Sequence, residues 1–317
     1  MASDPGHEPS CALGSRQSMI IVSTIYICLG VFIFFENIIT IMAIRRTPSL
    51  HTNPNLYMFS LAVSDVLVGA TAIFLGSFVN PTVQDRVTST FPYLASLAVT
   101  FGMVSLSFAH MAVIAVDRYI YIGKPYLYER CITRRVIFFQ ILCLWVSGAV
   151  YTIAPMIVYR EVNVGFCILI DLPPEYTLYA IGIAYFILLV VVLIAYYKIA
   201  RVVLQHRRSI ANQTISLDRT GEDLRNRKRQ TSALKSVRFF AVVFGFFFGF
   251  TLPTVFCMYI ESVVDLPYEL YAFLIFIAPA NSSMNTLVFA LMNKEFRKAV
   301  KKIFVDLRCL KVYESSF

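Results

Sequence analysis

The chain has 317 residues, 58% of them hydrophobic and only 15% charged, with a formal net charge of +9. This is far too apolar for a soluble domain of its size. The basic balance does not point to nucleic acid, because the cations border apolar spans and face the leaflet that carries anionic lipid.

The first stretch, "MASDPGHEPSCALGSRQS", is polar and has no apolar core, so no cleavable signal is expected there and the first span is expected to act as its own insertion signal. Uninterrupted apolar runs follow at approximately 18–44, 55–80, 90–119, 135–159, 175–204, 236–260 and 268–291. Each is long enough for roughly 20 residues of helix to cross about 30 Å of hydrocarbon. Strands of a membrane barrel would alternate apolar with polar, whereas "FILLVVVLIAYY" and "FFAVVFGFFFGF" are apolar on every face. The expected fold is an all-α membrane protein, a seven-transmembrane helix bundle.

Placing the N-terminus outside leaves Arg16, Arg86 and Arg160 as the only outward-facing members of the 28 Lys and Arg. Outside would also stand Asp4, Glu8, Asp85, Glu161, Asp171, Glu175, Glu261, Asp265 and Glu269, so the expected outer face is acidic and the inner face basic. Residues 1–17 read as an extracellular tail, 18–292 as the helical domain, and 293–317 as a cytoplasmic tail. The long polar segment between the fifth and sixth spans reads as helix extensions around a mobile cytoplasmic loop at about 206–231.

Of the seven cysteines only Cys11 and Cys167 fall on the oxidising side, where they could pair. His7, His51, His110 and His206 are scattered, and neither a metal-ligand cluster, a phosphate-binding glycine loop nor a nucleophile elbow is visible. The reading is not an enzyme, and no cofactor is expected.

Several marks recur in order along the spans. Asn37 lies in the first, "LAVSD" with Asp65 in the second, and Asp117-Arg118-Tyr119 at the end of the third, followed by "IYIGKPYLY" with Ile122, Pro125 and Tyr128. The single tryptophan, Trp145, is in the fourth, Pro253 in the sixth, and "NTLVF" (Asn285 to Phe289) in the seventh, ahead of the amphipathic "NKEFRKAVKKIF" with Phe296. With these marks the chain resembles a rhodopsin-like (class A) G-protein-coupled receptor. The resemblance adds a short amphipathic eighth helix, a heterotrimeric G protein as partner, membrane lipids around the bundle, and plasma-membrane location with the C-terminus cytoplasmic.

It further implies that Asp117, Arg118, Tyr119, Pro125, Tyr126, Tyr196, Pro253, Asn285 and Phe289 serve coupling and activation, Asp117 holding Arg118 as a latch at rest. The alternative is an Arg that snorkels to water beside a neutralising acid. Asp65, Ser107, Asn281 and Asn285 fall in register with an allosteric sodium site, a water-filled network being the alternative. The chain departs from the family's pattern at Ala233, where an acid often completes the latch, with Lys235 and Arg238 beside it. Thr251 stands for the toggle tryptophan, Thr286 for the seventh-helix proline and Phe289 for its tyrosine, with Pro279 left to supply a kink. The missing restraints lead to an expectation of constitutive activity. Gly245, Gly249 and Pro253 share one helix face, which reads as close small-residue packing or as a hinge.

An amine receptor needs an acid where this chain has Thr100, and a retinal protein needs a Lys that the seventh span lacks. Tyr93 replaces the third-span cysteine, Leu188 the fifth-span proline, and Glu36-Asn37 the commoner Gly-Asn. These substitutions are similar to the branch of cannabinoid, lysophospholipid and melanocortin receptors and their orphan relatives. By family register Leu97, Thr100, Phe101, Val104, Ala180, Ala184, Thr254, Val255, Met258 and Ile275 would line the ligand cavity. With two hydroxyls and no charge, that wall suits a lipid-like ligand; a peptide on the acidic outer loops is the alternative. A transporter would show internal repeats or paired broken helices, and none is visible.

Overall fold

The computed structural model of the chain describes residues 16–84, 86, 91–158, 174–213, 241–257, 260, 264 and 268–314. Among these there is helix and turn but no strand, as expected where backbone polar groups must be satisfied within their own segment. The long helices are α1 (Arg16–Arg46), α2 (Asn53–Val79), α3 (Phe91–Gly123), α4 (Arg134–Val158), α5 (Pro174–Gln213), α6 (Ala241–Cys257), α7 (Tyr268–Met292) and α8 (Lys294–Glu314). α1, α2, α3 and the stretches Arg134–Ala154 and Gly182–Val202 are each long and apolar enough to cross a membrane, and α6 is a shorter apolar helix.

Two helices outrun their apolar stretches. α3 continues to Gly123, so the Asp117-Arg118-Tyr119 triplet sits inside a helix rather than at its end. α5, which has no proline within the membrane, runs 40 residues without a break to Gln213. Pro48, Pro54 and Pro125 stand where a missing N–H costs nothing, in the first turn of Pro48–Leu50, of α2 and of the short helix Pro125–Cys131. α7 holds Pro279 within its span.

The α1–α2 seam is set by glycine. A Cβ built on Gly30 would lie 2.7 Å from the Ile73 backbone nitrogen and 2.8 Å from the Gly69 oxygen; one on Gly69 would lie 2.7 Å from Phe34 N. The two backbones touch because neither residue has a side chain. α3 and α4 repeat the device at Gly102 and Gly148, each packed on the other's helix. The expected small-residue packing at Gly245 and Gly249 is not found: a Cβ on either would meet nothing within 4 Å, and with Pro253 they form an exposed face of α6. Spacing put the three on one face, but α6 is apolar all round and its pattern does not say which face points inward.

α8 is tied to α7 at both ends of the joint. Asn293 Oδ1 accepts the backbone N–H groups of Glu295 (3.0 Å) and Phe296 (3.2 Å), an N-cap. Arg297 donates to the carbonyls of Ala290 (3.0 Å) and Leu291 (2.6 Å), covering the open end of α7. Phe296, Ala299 and Ile303 are buried while Lys298, Lys301 and Lys302 stand in solvent, as an amphipathic helix at an interface requires.

Candidate functional site

At one end of the bundle the Asp117-Arg118 pair is fully enclosed. Arg118 Nε donates to Asp117 Oδ2 at 2.9 Å, Nη2 donates to the same oxygen, and the guanidinium lies 5.0 Å from the Tyr121 ring centre. Arg118 is 4% exposed, so in this arrangement its charge is held inside beside Asp117. Tyr121 packs edge-on against Tyr128 at 5.1 Å, whose hydroxyl receives Asn53 at 3.4 Å. Burial, and after it the Asp117 charge, raises the Tyr128 hydroxyl above its ordinary pKa, so it stays protonated as a donor. Tyr119 carries Lys198 over its ring at 5.3 Å. Pro125 starts the short helix, and Tyr126 beside it is 89% exposed, free for an outside contact. Tyr196 packs edge-on against Phe244 of α6 at 5.0 Å. Ala233, Lys235 and Arg238, on which the missing-latch reading rests, lie outside the described residues.

Midway along the bundle, Asp65 is completely buried. Its Oδ1 accepts Ser107 at 3.2 Å and its Oδ2 accepts the Asn285 amide at 3.0 Å. Asn281 is buried too, and the amide oxygens of Asn281 and Asn285 accept no hydrogen bond. Three of the four expected residues are thus joined directly. A carboxylate, a hydroxyl and two unfilled amide oxygens are hard oxygen donors of the kind a small cation takes. Among the described residues there is no cluster of three or more His, Cys, Asp or Glu to hold another metal.

The substituted residues make contacts of their own. Thr286, where the resemblance puts proline, donates to Asn37 Oδ1 at 3.1 Å and meets Thr40 Oγ1 at 3.0 Å, while Asn37 Nδ2 reaches Ser282 O at 3.5 Å; together these join α7 to α1. Phe289 stacks on Phe296 at 4.4 Å, fixing α8 to α7 by an apolar contact. A second polar chain crosses α4, α2 and α3: Trp145 Nε1 donates to Ser60 Oγ at 3.0 Å, and Ser60 meets His110 Nε2 at 2.8 Å. His110 Nδ1 lies 2.9 Å from Leu106 O, which can only accept. The neutral ring therefore carries its proton on Nδ1 and takes the Ser60 proton on Nε2. His110 looked isolated in sequence; its place one turn after Ser107 on α3 was the available signal that it faces inward.

Toward the opposite end lies a cavity of about 370 Å³ lined mainly by α3, α4, α5 and α6, with Tyr26 of α1, Leu75 and Val79 of α2 and Pro279 of α7 completing the wall. Leu97, Thr100, Phe101, Val104, Ala184, Thr254 and Val255 line it as expected. Met258 and the side chains of Ala180 and Ile275 lie outside the described residues. Register missed the α4 wall, Ser147, Gly148 and Tyr151, and the floor, Phe108, Tyr185 and Thr251. Among the described residues no Asp, Glu, Lys or Arg lines the cavity. Thr100 Oγ1 donates to Thr71 at 2.8 Å and sits 2.9 Å from Ser96 O, so its hydroxyl is already engaged. Tyr93, in the cysteine's place, is buried edge-on against Phe78 at 5.8 Å. Cys11 and Cys167 lie outside the described residues.

The family model described as "7 transmembrane receptor (rhodopsin family)" matches residues 36–289. Among curated relatives, melanopsin of Branchiostoma belcheri is 26% identical over 305 residues, 89% of this chain and 42% of the melanopsin. Cannabinoid receptor 1 of Xenopus laevis is 26% identical over 306 residues, 91% of this chain and 64% of that receptor. Trace amine-associated receptor 1 of Mus musculus is 24% identical over 329 residues, 96% and 91% of the two chains. The chain therefore spans less than two thirds of the first two relatives and nearly all of the third. The matching span runs from the latter part of α1 into α7 and includes both polar centres, and the chain belongs to the rhodopsin family of seven-transmembrane receptors, which are not enzymes.

Proposed function

We propose that the chain is a plasma-membrane receptor, N-terminus outside, that converts binding of a lipid-like ligand into activation of a heterotrimeric G protein at the Arg118 end. The observation that carries the ligand class is the cavity of about 370 Å³, in whose wall the described residues place no charged side chain. Affinity there must come mainly from burial of apolar surface, about 25 cal/mol per Å². Relatives include amine receptors as well as the cannabinoid receptor. An ammonium brought into this cavity would be desolvated without a counter-charge, because Thr100 stands where an acid would be needed and its hydroxyl is taken. The absence of Lys from α7 argues in the same way against a retinal Schiff base. Ile187 lines the cavity and is 55% exposed on the outer surface, which gives a lipid a path in from the bilayer.

The buried Asp117-Arg118 pair supports the coupling role: Arg118 is held by one carboxylate oxygen and freed when that contact breaks. The distribution of Lys and Arg supports a cytoplasmic Arg118 end. In the polar centre, Asp65, Ser107, Asn281 and Asn285 would hold a sodium ion, which supplies positive charge to the buried carboxylate and favours the resting arrangement.

The test is nucleotide exchange on a panel of G proteins in membranes carrying the receptor, first without ligand and then with extracts fractionated by polarity. Measurable ligand-free exchange is expected, abolished by Arg118→Ala at equal surface density. Acyl-chain fractions should activate further and Val104→Asp should remove that response. Activity confined to protease-sensitive fractions would replace the lipid reading with a peptide one. Agonist affinity should fall as sodium replaces a large inert cation, and Asp65→Asn should remove the dependence; a sodium-independent wild type speaks for a water network.

A further inference from the structure

The cavity of about 370 Å³ is lined by hydroxyls as well as apolar groups, and the hydroxyls are not equivalent. Thr100 Oγ1 donates to Thr71 at 2.8 Å, Thr254 Oγ1 to Phe250 O at 3.3 Å and Ser147 Oγ to Leu144 O at 2.7 Å, so these three protons are taken. Tyr26 and Tyr93 are buried and each already has an interaction partner. The hydroxyl oxygens of Tyr185 and Thr251 have no partner, but both are sealed within the protein and out of an occupant's reach.

Ser105 on α3 and Tyr151 on α4 differ from all of these. Both line the cavity and are half-buried, and among the described residues neither hydroxyl has a hydrogen-bond partner or belongs with the sealed atoms. A serine inside a helix commonly returns its proton to the carbonyl one turn back, as Ser96 does to Pro92 O and Ser107 to Met103 O; Ser105 does not. The two residues belong to one wall because α3 and α4 cross there in close contact. A Cβ on Gly148 would lie 3.2 Å from Leu106 Cβ, and one on Gly102 would lie 3.1 Å from Gly148 O. Ser105 directly precedes Leu106, and Tyr151 follows Gly148 by less than a turn, so both flank this crossing.

Resting on the reading of this cavity as a lipid site, we propose that the ligand's head is an uncharged acyl carbonyl, that of a long-chain ester or amide. It sits against the α3–α4 wall and receives the Ser105 and Tyr151 protons. A carbonyl oxygen has two lone pairs and no proton of its own, so it matches two donors. A carboxylate would accept the same protons but would enter a wall where the described residues place no counter-charge. A bare hydrocarbon would displace water and leave both hydroxyls unpaired. Two polar groups that fix orientation within an otherwise apolar wall are the usual make-up of a small-molecule site. The chain of the ligand leaves toward the bilayer past Ile187.

The experiment uses the full chain in nanodiscs of ether-linked phosphatidylcholine, which brings no acyl carbonyl of its own. Four photoreactive long-chain probes are compared at equal mole fraction: a methyl ester, a primary amide, a carboxylate, and the same chain with no head. The ester or the amide should label residues 101–109 or 147–151 about tenfold more than the headless chain, the size expected of two neutral hydrogen bonds. Ser105→Ala and Tyr151→Phe should each lower that label severalfold and leave the weaker label from the headless chain unchanged, which a loss of folding would not do. Equal labelling of the cavity by ester, amide and headless chain in the unaltered protein overturns the head assignment and leaves the lipid reading standing. So does label that is strongest with the carboxylate, or a preference for the carbonyl that survives both substitutions together. Label from none of the four within the cavity removes the lipid reading itself, and the head assignment with it. An ester-only or an amide-only signal each supports the proposal and identifies the head.

Discussion

The helices on one side of this receptor are joined by directional bonds and bare backbone, and those on the other by aromatic rings. α1, α2, α3, α4 and α7 meet through Gly30 on Gly69, Gly102 on Gly148, Asp65 with Ser107 and Asn285, Thr286 with Asn37, and the Trp145–Ser60–His110 chain. α6 meets α5 and α3 through rings: Phe244 on Tyr196 at 5.0 Å, Phe247 on Phe108 at 3.9 Å, Phe248 near Tyr185 at 6.2 Å. The buried hydroxyls within that ring cluster, on Tyr185, Tyr196 and Thr251, have no hydrogen-bond partner. Hydrogen bonds are lost over a fraction of an ångström, whereas ring contacts tolerate sliding and tilt. The difference assigns the fixed frame to one side and the element freer to shift to the other, which agrees with the coupling role proposed for the Arg118 end.

The hardest way to break the comparison is at its tightest contact. Gly69→Val would drive a branched side chain into the Phe34 nitrogen at 2.7 Å and the Gly30 oxygen at 2.9 Å, backbone atoms that cannot rotate away. A cost of about 3 kcal/mol or more is expected, seen as loss of surface expression and of the folded fraction on gel filtration. Gly245→Ala on α6 meets open space and should be neutral or gain up to about 1 kcal/mol from helix propensity. If the two variants express alike, the α1–α2 seam is not the rigid element described.

Next in size is Ser60→Ala. Ser60 links Trp145 to His110, so its removal leaves two ring nitrogens without that partner, the half-buried Trp145 Nε1 as donor and the buried His110 Nε2 as acceptor. Each unsatisfied group costs about 1–3 kcal/mol, and a loss of about 2 kcal/mol in thermal unfolding is expected after relaxation. Ser60→Thr, which keeps the hydroxyl, should recover most of it; an unchanged melting temperature for Ser60→Ala would show that water replaces the bond.

How much of this was legible beforehand follows the same division. Runs such as "FILLVVVLIAYY" are apolar long enough to declare their helices, and Asp65, Ser107 and Asn285 could be brought together by register because charged and polar side chains in hydrocarbon must find one another. The Thr286–Asn37–Thr40 contact was not legible, since a threonine in place of a proline reads as a loss until its new partner is seen. The α4 wall of the 370 Å³ cavity and the outward turn of Gly245 and Gly249 escaped for a different reason. In water the polar face of a helix reveals its orientation, but a helix apolar on every side can be rotated without changing its pattern. The sequence therefore specified the directional side well and left the rotation of the aromatic side open.

The smallest and most discriminating effect comes from making one substitution on both sides. Thr286→Val keeps the shape of the side chain and removes the donor to Asn37 Oδ1 and the contact with Thr40, leaving a buried amide oxygen without that partner. Interhelical hydrogen bonds in membranes contribute about 0.6 kcal/mol on average and up to about 1.7, so a cost of about 1 kcal/mol is expected. Thr251→Val makes the same change where the hydroxyl oxygen is buried and makes no hydrogen bond. Nothing directional is lost there and an unsatisfied polar atom is removed, so stability should stay level or rise by a few tenths of a kcal/mol. Both are to be read as ligand-free thermal unfolding of the purified chain, because Thr251 also lines the cavity proposed to take the ligand. Equal losses at the two positions would mean that Thr251 has a bond as good as that of Thr286. In that event the α6 side would be latched like the rest of the frame, and the assignment of the moving element would fall with it.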